Sequence, residues 1–308
     1  MLSGLVIVLL PLVLGYLVPV KNTRLMALIN RGVNASIYVI LLLMGMSLAG
    51  LDDLAGQLSR LGGQALTLFV VISCCNLAAL WWLSRRLGLT ADPSTVVAGA
   101  PTSKWAAMAG SLALVAVVVA GMLLGLLLKG LTGNGLFAAA ESLAEGVLYV
   151  LLALIGCQLR NSGMPLRQIV LNRYGLAIAS TLAASSLIGG LFAAPLLDIP
   201  WNEGLAMAAG FGWYSLSGIL VGDQLGPLMG GVAFFNDLAR ELLAFVLIPL
   251  MIRHHTALAI GYGGATSMDF TLPVIQQHGG VTCVPVAVVS GFLLSLLSPP
   301  LILFLLSL

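Results

Sequence analysis

The 308-residue sequence is 60% hydrophobic and 8% charged, with a net charge of +2 and a mean hydropathy of +1.09. Soluble domains carry about a quarter charged residues. These values exclude a soluble domain with one greasy anchor and predict an all-α polytopic membrane protein.

A bilayer core about 30 Å thick needs about 20 apolar residues per crossing. In chain order, spans are predicted at 2–20, 33–51, 62–83, 105–128, 142–159, 174–196, 228–252 and 281–306. The first, MLSGLVIVLLPLVLGYLVPVK, lacks a basic leader and a small-residue cleavage site before Lys21, so it is expected to be retained. Two further apolar stretches, 204–222 and 257–276, are interrupted by GFGWYSLSG and GYGGATSMDFTLP. Gly, Ser, Thr and Pro at that density unwind helices. The expected fold is about eight transmembrane helices plus two re-entrant or broken segments.

Basic residues favour cytoplasmic loops. With the N-terminus outside, Lys21, Arg24, Arg31, Arg85, Arg86, Lys104, Arg160, Arg167, Arg173 and Arg253 fall inside. Arg60 and Lys129 fall outside, with Asp52, Asp53, Glu141, Glu145, Asp198 and Glu203. This map puts both termini on the periplasmic side. It requires 204–222 to enter and leave from outside, and 257–276 from inside. Ten full spans is the competing map. LLLMGMSL at 41–48 resembles LLALIGCQL at 151–159, which makes a candidate inverted repeat. The chain reads as one transporter domain, 1–308, with halves 1–130 and 131–308.

Chemistry concentrates in FFNDLARELLAFVLIPLMI, 234–252. Asp237 lies three residues before Arg240 and four before Glu241, so all three share one helix face, with Asn236 beside it. Charges at the bilayer centre cost about 2.5–3.5 kcal/mol each on insertion scales, so such a face implies a polar cavity or a neutralised cluster. In that arrangement Asp237 is expected to pair with Arg240 and leave Glu241 free to act. Asp269 lies in the second interrupted stretch among Thr266, Ser267 and Thr271, whose hydroxyls add donors and acceptors. Trp213 and Tyr214 are expected to cap a cation, or else to belong to an interfacial belt, with Ser215 and Ser217 beside them.

Three carboxylates and one guanidinium make a net-negative site that suits a cationic amino acid, a metal cation or a proton path. A carboxyl that exchanges its proton for substrate would couple the two flows. Cys74, Cys75, Cys157 and Cys283 lie in apolar runs without ligand spacing and read as small buried hydrophobes, so no metal or cofactor is expected. His254, His255 and His278 have no nucleophile or metal spacing, and no P-loop is present, so neither an enzyme nor ATP drive is expected.

The motifs FGWYSLSGIL, FFNDLARELLA, GATSMDFTLPV and LRNSGMPLRQIVLNRYG resemble the bacterial lysine exporter family of the LysO type. The resemblance runs from SGLVIVLLPLVLGYLVP to the last span and is weakest from about Leu89 to Gly110. It implies export of L-lysine and its toxic analogue thialysine across the cytoplasmic (inner) membrane, driven by ion exchange, with the proton as coupling ion. It also implies that the family's intramembrane acids fall on Glu241 and Asp269. Arg240 or the exposed amides of 211–218 would hold the substrate carboxylate. A monovalent cation/proton antiporter is the alternative. Expected partners are L-lysine, thialysine and the lipid bilayer, without nucleic acid; assembly of like copies is left open.

Overall fold

A computed structural model describes residues 10–11, 13–20, 22–50, 54–89, 104–132, 135–161 and 172–308. Most of the predicted first span, Lys21, Asp52, Asp53, the connector with Pro93 and Pro101, and Arg167 lie outside the described residues. The described elements are helical. The first long helices are α1 (Thr23–Gly50), α2 (Leu54–Leu87), α3 (Lys104–Thr132), α4 (Gly135–Arg160) and α5 (Arg173–Leu197). Then come α6 (Trp201–Ala208), α7 (Tyr214–Leu225), α8 (Pro227–Met251), α9 (Thr256–Gly263), a 3-10 turn (Gly264–Met268), α10 (Leu272–Gly279) and α11 (Val284–Leu306).

Among the described residues, four stretches are long and apolar enough to cross a membrane: Arg24–Met46, Ser59–Leu87, Arg173–Leu197 and Val284–Leu306. Helix α8 has comparable length but carries Asp237, Arg240 and Glu241. The outer surface bears Leu127, Phe192, Leu196 and Leu250, as a lipid-facing surface would. Cys74, expected among the buried hydrophobes, is also exposed, and only Cys283 of the four is fully buried. Helix α1 begins ten residues before the predicted span at 33. Hydropathy reports bilayer thickness, and a helix continues past it wherever its backbone bonds are satisfied.

Cross-bonds fix which helix ends share a level. Asn161, just after α4, donates to Val18 O at 3.0 Å and accepts from Val20 N at 2.8 Å. Asn172 caps α5 by accepting from Gly175 N at 2.9 Å, and donates to Pro285 O at the start of α11 at 3.2 Å. At the opposite end Asn202 of α6 donates to Leu305 O at 3.3 Å. Helices α5 and α11 therefore run side by side in one direction. Helix α2 runs against α5: Ile72 meets Gly189, and Asn76 meets Ser185 and Ser186.

The two interrupted stretches form opposed hairpins. Asp198, in the left-handed region at φ 54°, ends α5, and Pro200 precedes α6. Eight residues of α6 reach only about 12 Å, so the chain stops near mid-depth. After the bend at 209–213, α7 returns toward the end it came from. There Gly222 meets Gly230 of α8, and Gly231 meets Leu61 near the start of α2. At the other end, α8 finishes beside Gly279, which lies against Ile252. Thus α9 and α10 also enter and leave at one level, opposite to the first hairpin. The limbs of each hairpin pack mainly on neighbours: α6 on α5 and α11, α7 on α8 and α9 on α2. Close approach of α6 to α5 and of α7 to α8 rests on Gly190, Gly204, Gly218 and Gly230, where a Cβ would strike the facing helix.

Two units follow from this arrangement, 173–226 and 227–280. They are equal in length, and each is a long helix followed by a hairpin, in opposite orientations. They differ from the expected halves, 1–130 and 131–308. The matched stretches 41–48 and 151–159 lie on α1 and α4, which also run in opposite directions, with Asn30 receiving a bond from Gln158 at 2.9 Å.

Candidate functional site

The two hairpin tips meet where Ala265 N donates to Phe211 O at 3.0 Å. Tip one turns through Phe211 at φ 50° and Gly212 at φ 86°, and tip two through Gly264 at φ 62°. A phenylalanine in the left-handed region is uncommon, and its neighbours hold it there. Helix α8 passes beside the junction with Asn236, Asp237, Arg240 and Glu241 all buried.

Asp237 grips tip one. It accepts from Ser217 Oγ at 2.7 Å, from Gly212 N at 3.0 Å and from Asn236 Nδ2 at 3.4 Å. Arg240 donates through Nη2 to Phe211 O. Its guanidinium lies between the tips, so close that a Cβ on Gly212 or on Gly264 would run into it. The Tyr262 ring centre stands 6.0 Å from the guanidinium carbon. Glu241 is buried beside Arg240, and its charge acts on the guanidinium. The expected direct pairing of Asp237 with Arg240 takes a different form. The two attract through space, but the described hydrogen bonds tie each to tip one, Asp237 to Ser217 Oγ and Gly212 N and Arg240 to Phe211 O.

Tip two closes on itself. Thr266 Oγ1 donates to Gly263 O at 2.8 Å, Ser267 Oγ to Gly264 O at 2.7 Å, and Thr271 Oγ1 to Thr266 O at 3.1 Å. Ser267 also reaches Ala287 O on α11 at 3.0 Å. These hydroxyls replace the ladder bonds lost at the break.

Asp269 stands apart from the α8 charges. It is exposed, and its carboxylate accepts from Phe270 N at 2.6 Å. It faces a small cleft lined by Trp213, Tyr214, Ser215, Thr266, Phe270 and Ser295. Among the described contacts the four expected charges fall into two groups. Asp237 and Arg240 gather with Asn236 and Ser217 at tip one, with Glu241 buried beside Arg240. Asp269 shares its cleft with Trp213, Tyr214, Ser215 and Thr266. Tyr214 makes a T-shaped contact with Phe234 of α8, centroids 5.5 Å apart.

Residues not anticipated from sequence complete the picture. Phe211 contributes only its carbonyl, which leaves no side-chain signature. Tyr262 OH shares a 2.8 Å hydrogen bond with Ser73 Oγ on α2. One turn on, Asn76 Oδ1 accepts from Ser185 at 2.7 Å and Ser186 at 3.1 Å on α5. A polar seam thus runs from the tips into the α2–α5 interface. Its members sit in apolar runs, where serine reads simply as a small residue.

Residues 115–306 match the family described as "Lysine exporter LysO". The chain is 49% identical over 304 residues, 99% of both chains, to "Lysine exporter LysO" of Escherichia coli strain K12. It is 47% identical over 160 residues to "Putative lysine exporter" of Haemophilus influenzae, covering 51% of this chain and 82% of that protein. No solved structure matches it.

Proposed function

The chain belongs to the lysine exporter LysO family, and on that footing we propose that it carries L-lysine, and thialysine, out of the cytoplasm by exchange for protons. It is a multi-pass membrane protein, and the whole chain, 1–308, acts as one transport domain. The observation that carries the reading is the meeting of two opposed hairpins at mid-depth beside buried charges. Broken helices that meet near the midplane place backbone dipoles and carbonyls where a charged substrate can be held. Each hairpin closes the route from one side, so opening them in alternation moves the substrate across.

Glu241 and Asp269 bind the lysine ammonium groups or the coupling proton, one on each side of the tip junction. Asp237 holds tip one in register with α8. The end of the molecule carrying Arg24, Arg85, Arg86, Arg160, Arg173 and Arg253 faces the cytoplasm of an inner membrane. Eight crossings and two re-entrant hairpins then leave both termini in the periplasm. The match to lysine exporters weighs against the monovalent-cation antiporter.

The test is efflux of labelled lysine from loaded proteoliposomes under an imposed pH gradient. Wild type is expected to release lysine faster with the gradient than without it. Glu241→Gln and Asp269→Asn are each expected to abolish this release. Wild-type efflux from a folded double variant sinks the site assignment. Sodium or potassium flux without lysine movement overturns the substrate.

A further inference from the structure

We propose that Arg240 is the residue that reads the substrate's carboxylate, so that the exporter requires a carboxylate on its cationic substrate. The inference rests on the lysine-export reading and deepens it. Arg240 is 3% exposed, and a guanidinium brings five N–H donors in a planar fork. Among the described residues it meets one hydrogen-bond acceptor, Phe211 O, through Nη2. Nε and Nη1 are buried without a hydrogen-bond partner among the described residues. Leaving such donors unmet is costly, and the site is built to keep the guanidinium there. Gly212 and Gly264, one from each tip, make room for it.

Phe211 O is already shared, because Ala265 N donates to it as well. A carboxylate that takes its place on Nη2 brings a second oxygen for either Nε or Nη1, which is the two-point geometry arginine favours. The exchange also releases one of the ties between tip one and α8, leaving those of Asp237 to Ser217 and Gly212, so carboxylate binding loosens tip one. The competing donors are the backbone amides of 211–218, and four of these are spent. Gly212 N donates to Asp237 at 3.0 Å and Trp213 N to Gly210 O at 2.9 Å. Leu216 N and Ser217 N both donate to Trp213 O, at 3.0 and 2.9 Å. Asp237 already accepts from Ser217, Gly212 and Asn236, and no described hydrogen bond joins it to Arg240.

The experiment measures binding of labelled lysine to the purified full chain, with competition by lysinamide and by 1,5-diaminopentane. Both competitors keep two amines and lack the carboxylate. Wild type is expected to prefer lysine over either at least tenfold, the loss expected from one charge-assisted hydrogen bond. Arg240→Gln is expected to lower that preference at least tenfold. Arg240→Lys, which keeps the charge without the fork, should fall between. Because preference is a ratio within one sample, it does not depend on the folded fraction. Wild-type protein that takes lysinamide as readily as lysine overturns the inference while leaving lysine export standing. So does equal loss of all three ligands in Arg240→Gln. Wild type that moves no lysine removes the export reading, and this inference with it.

Discussion

The two hairpins share a plan and differ in what holds their tips. Each breaks at a glycine with positive φ, Gly212 or Gly264, and each ends at another, Gly226 at φ 88° or Gly280 at φ 85°. Tip one depends on another element: Asp237 and Arg240 of α8 supply the partners of Ser217, Gly212 and Phe211. Tip two supplies its own, through Thr266, Ser267 and Thr271, and among the described hydrogen bonds it reaches other elements at Ser267 and Ala265. A tip that satisfies its own backbone can shift as a unit without stranding polar groups in lipid. A tip clamped by buried charge cannot move until those charges find other partners. The comparison predicts that hairpin two moves readily and that hairpin one moves only when substrate replaces its contacts.

The most severe way to break this asymmetry is Gly212→Val. The new side chain would occupy the guanidinium's position and place a β-branched residue at φ 86°. Complete loss of lysine efflux is expected, together with a lower melting temperature in detergent. Gly63→Val, where no described residue lies within 4 Å of a Cβ, is the control and should keep most activity. If Gly212→Val transports normally, the clamp on tip one is not required.

Next in size is Asp237→Asn. It removes the negative partner facing a buried guanidinium while keeping the shape. Breaking one member of a buried charge arrangement costs about 3–5 kcal/mol. The measurement is chemical or thermal unfolding of the purified protein. Asp269→Asn, which alters an exposed carboxylate whose described hydrogen bond is to its neighbour's amide, should change stability far less while still stopping transport. Equal destabilisation by the two substitutions would erase the distinction between the tips.

The interruptions at 204–222 and 257–276 were legible because glycine, serine and proline cannot sustain an apolar helix at that density. The shared face of Asp237, Arg240 and Glu241 was legible from spacing alone. The separation of Asp269 from that face was not, because side chains at one depth can lie on opposite sides of a crossing. Nor were the partners of Asp237 and Arg240, since Gly212 N and Phe211 O are backbone groups that any sequence possesses.

The smallest expected effect concerns tip two. Interhelical side-chain hydrogen bonds in membrane proteins contribute about 0.6 kcal/mol on average and at most about 1.7. Thr266→Val removes a bond to Gly263 O within the hairpin, so its cost should lie near the lower figure. Ser267→Ala removes two bonds, one of them to Ala287 on α11, and should cost more. It should also do what Thr266→Val does not. With its tie to α11 cut, hairpin two is freer to move, so amide exchange across 264–279 should quicken while exchange across 209–222 stays as it was. Exchange that rises equally in both hairpins would mean that the tips move as one body through the Ala265–Phe211 bond, and the contrast between a clamped tip and a self-contained one would fail.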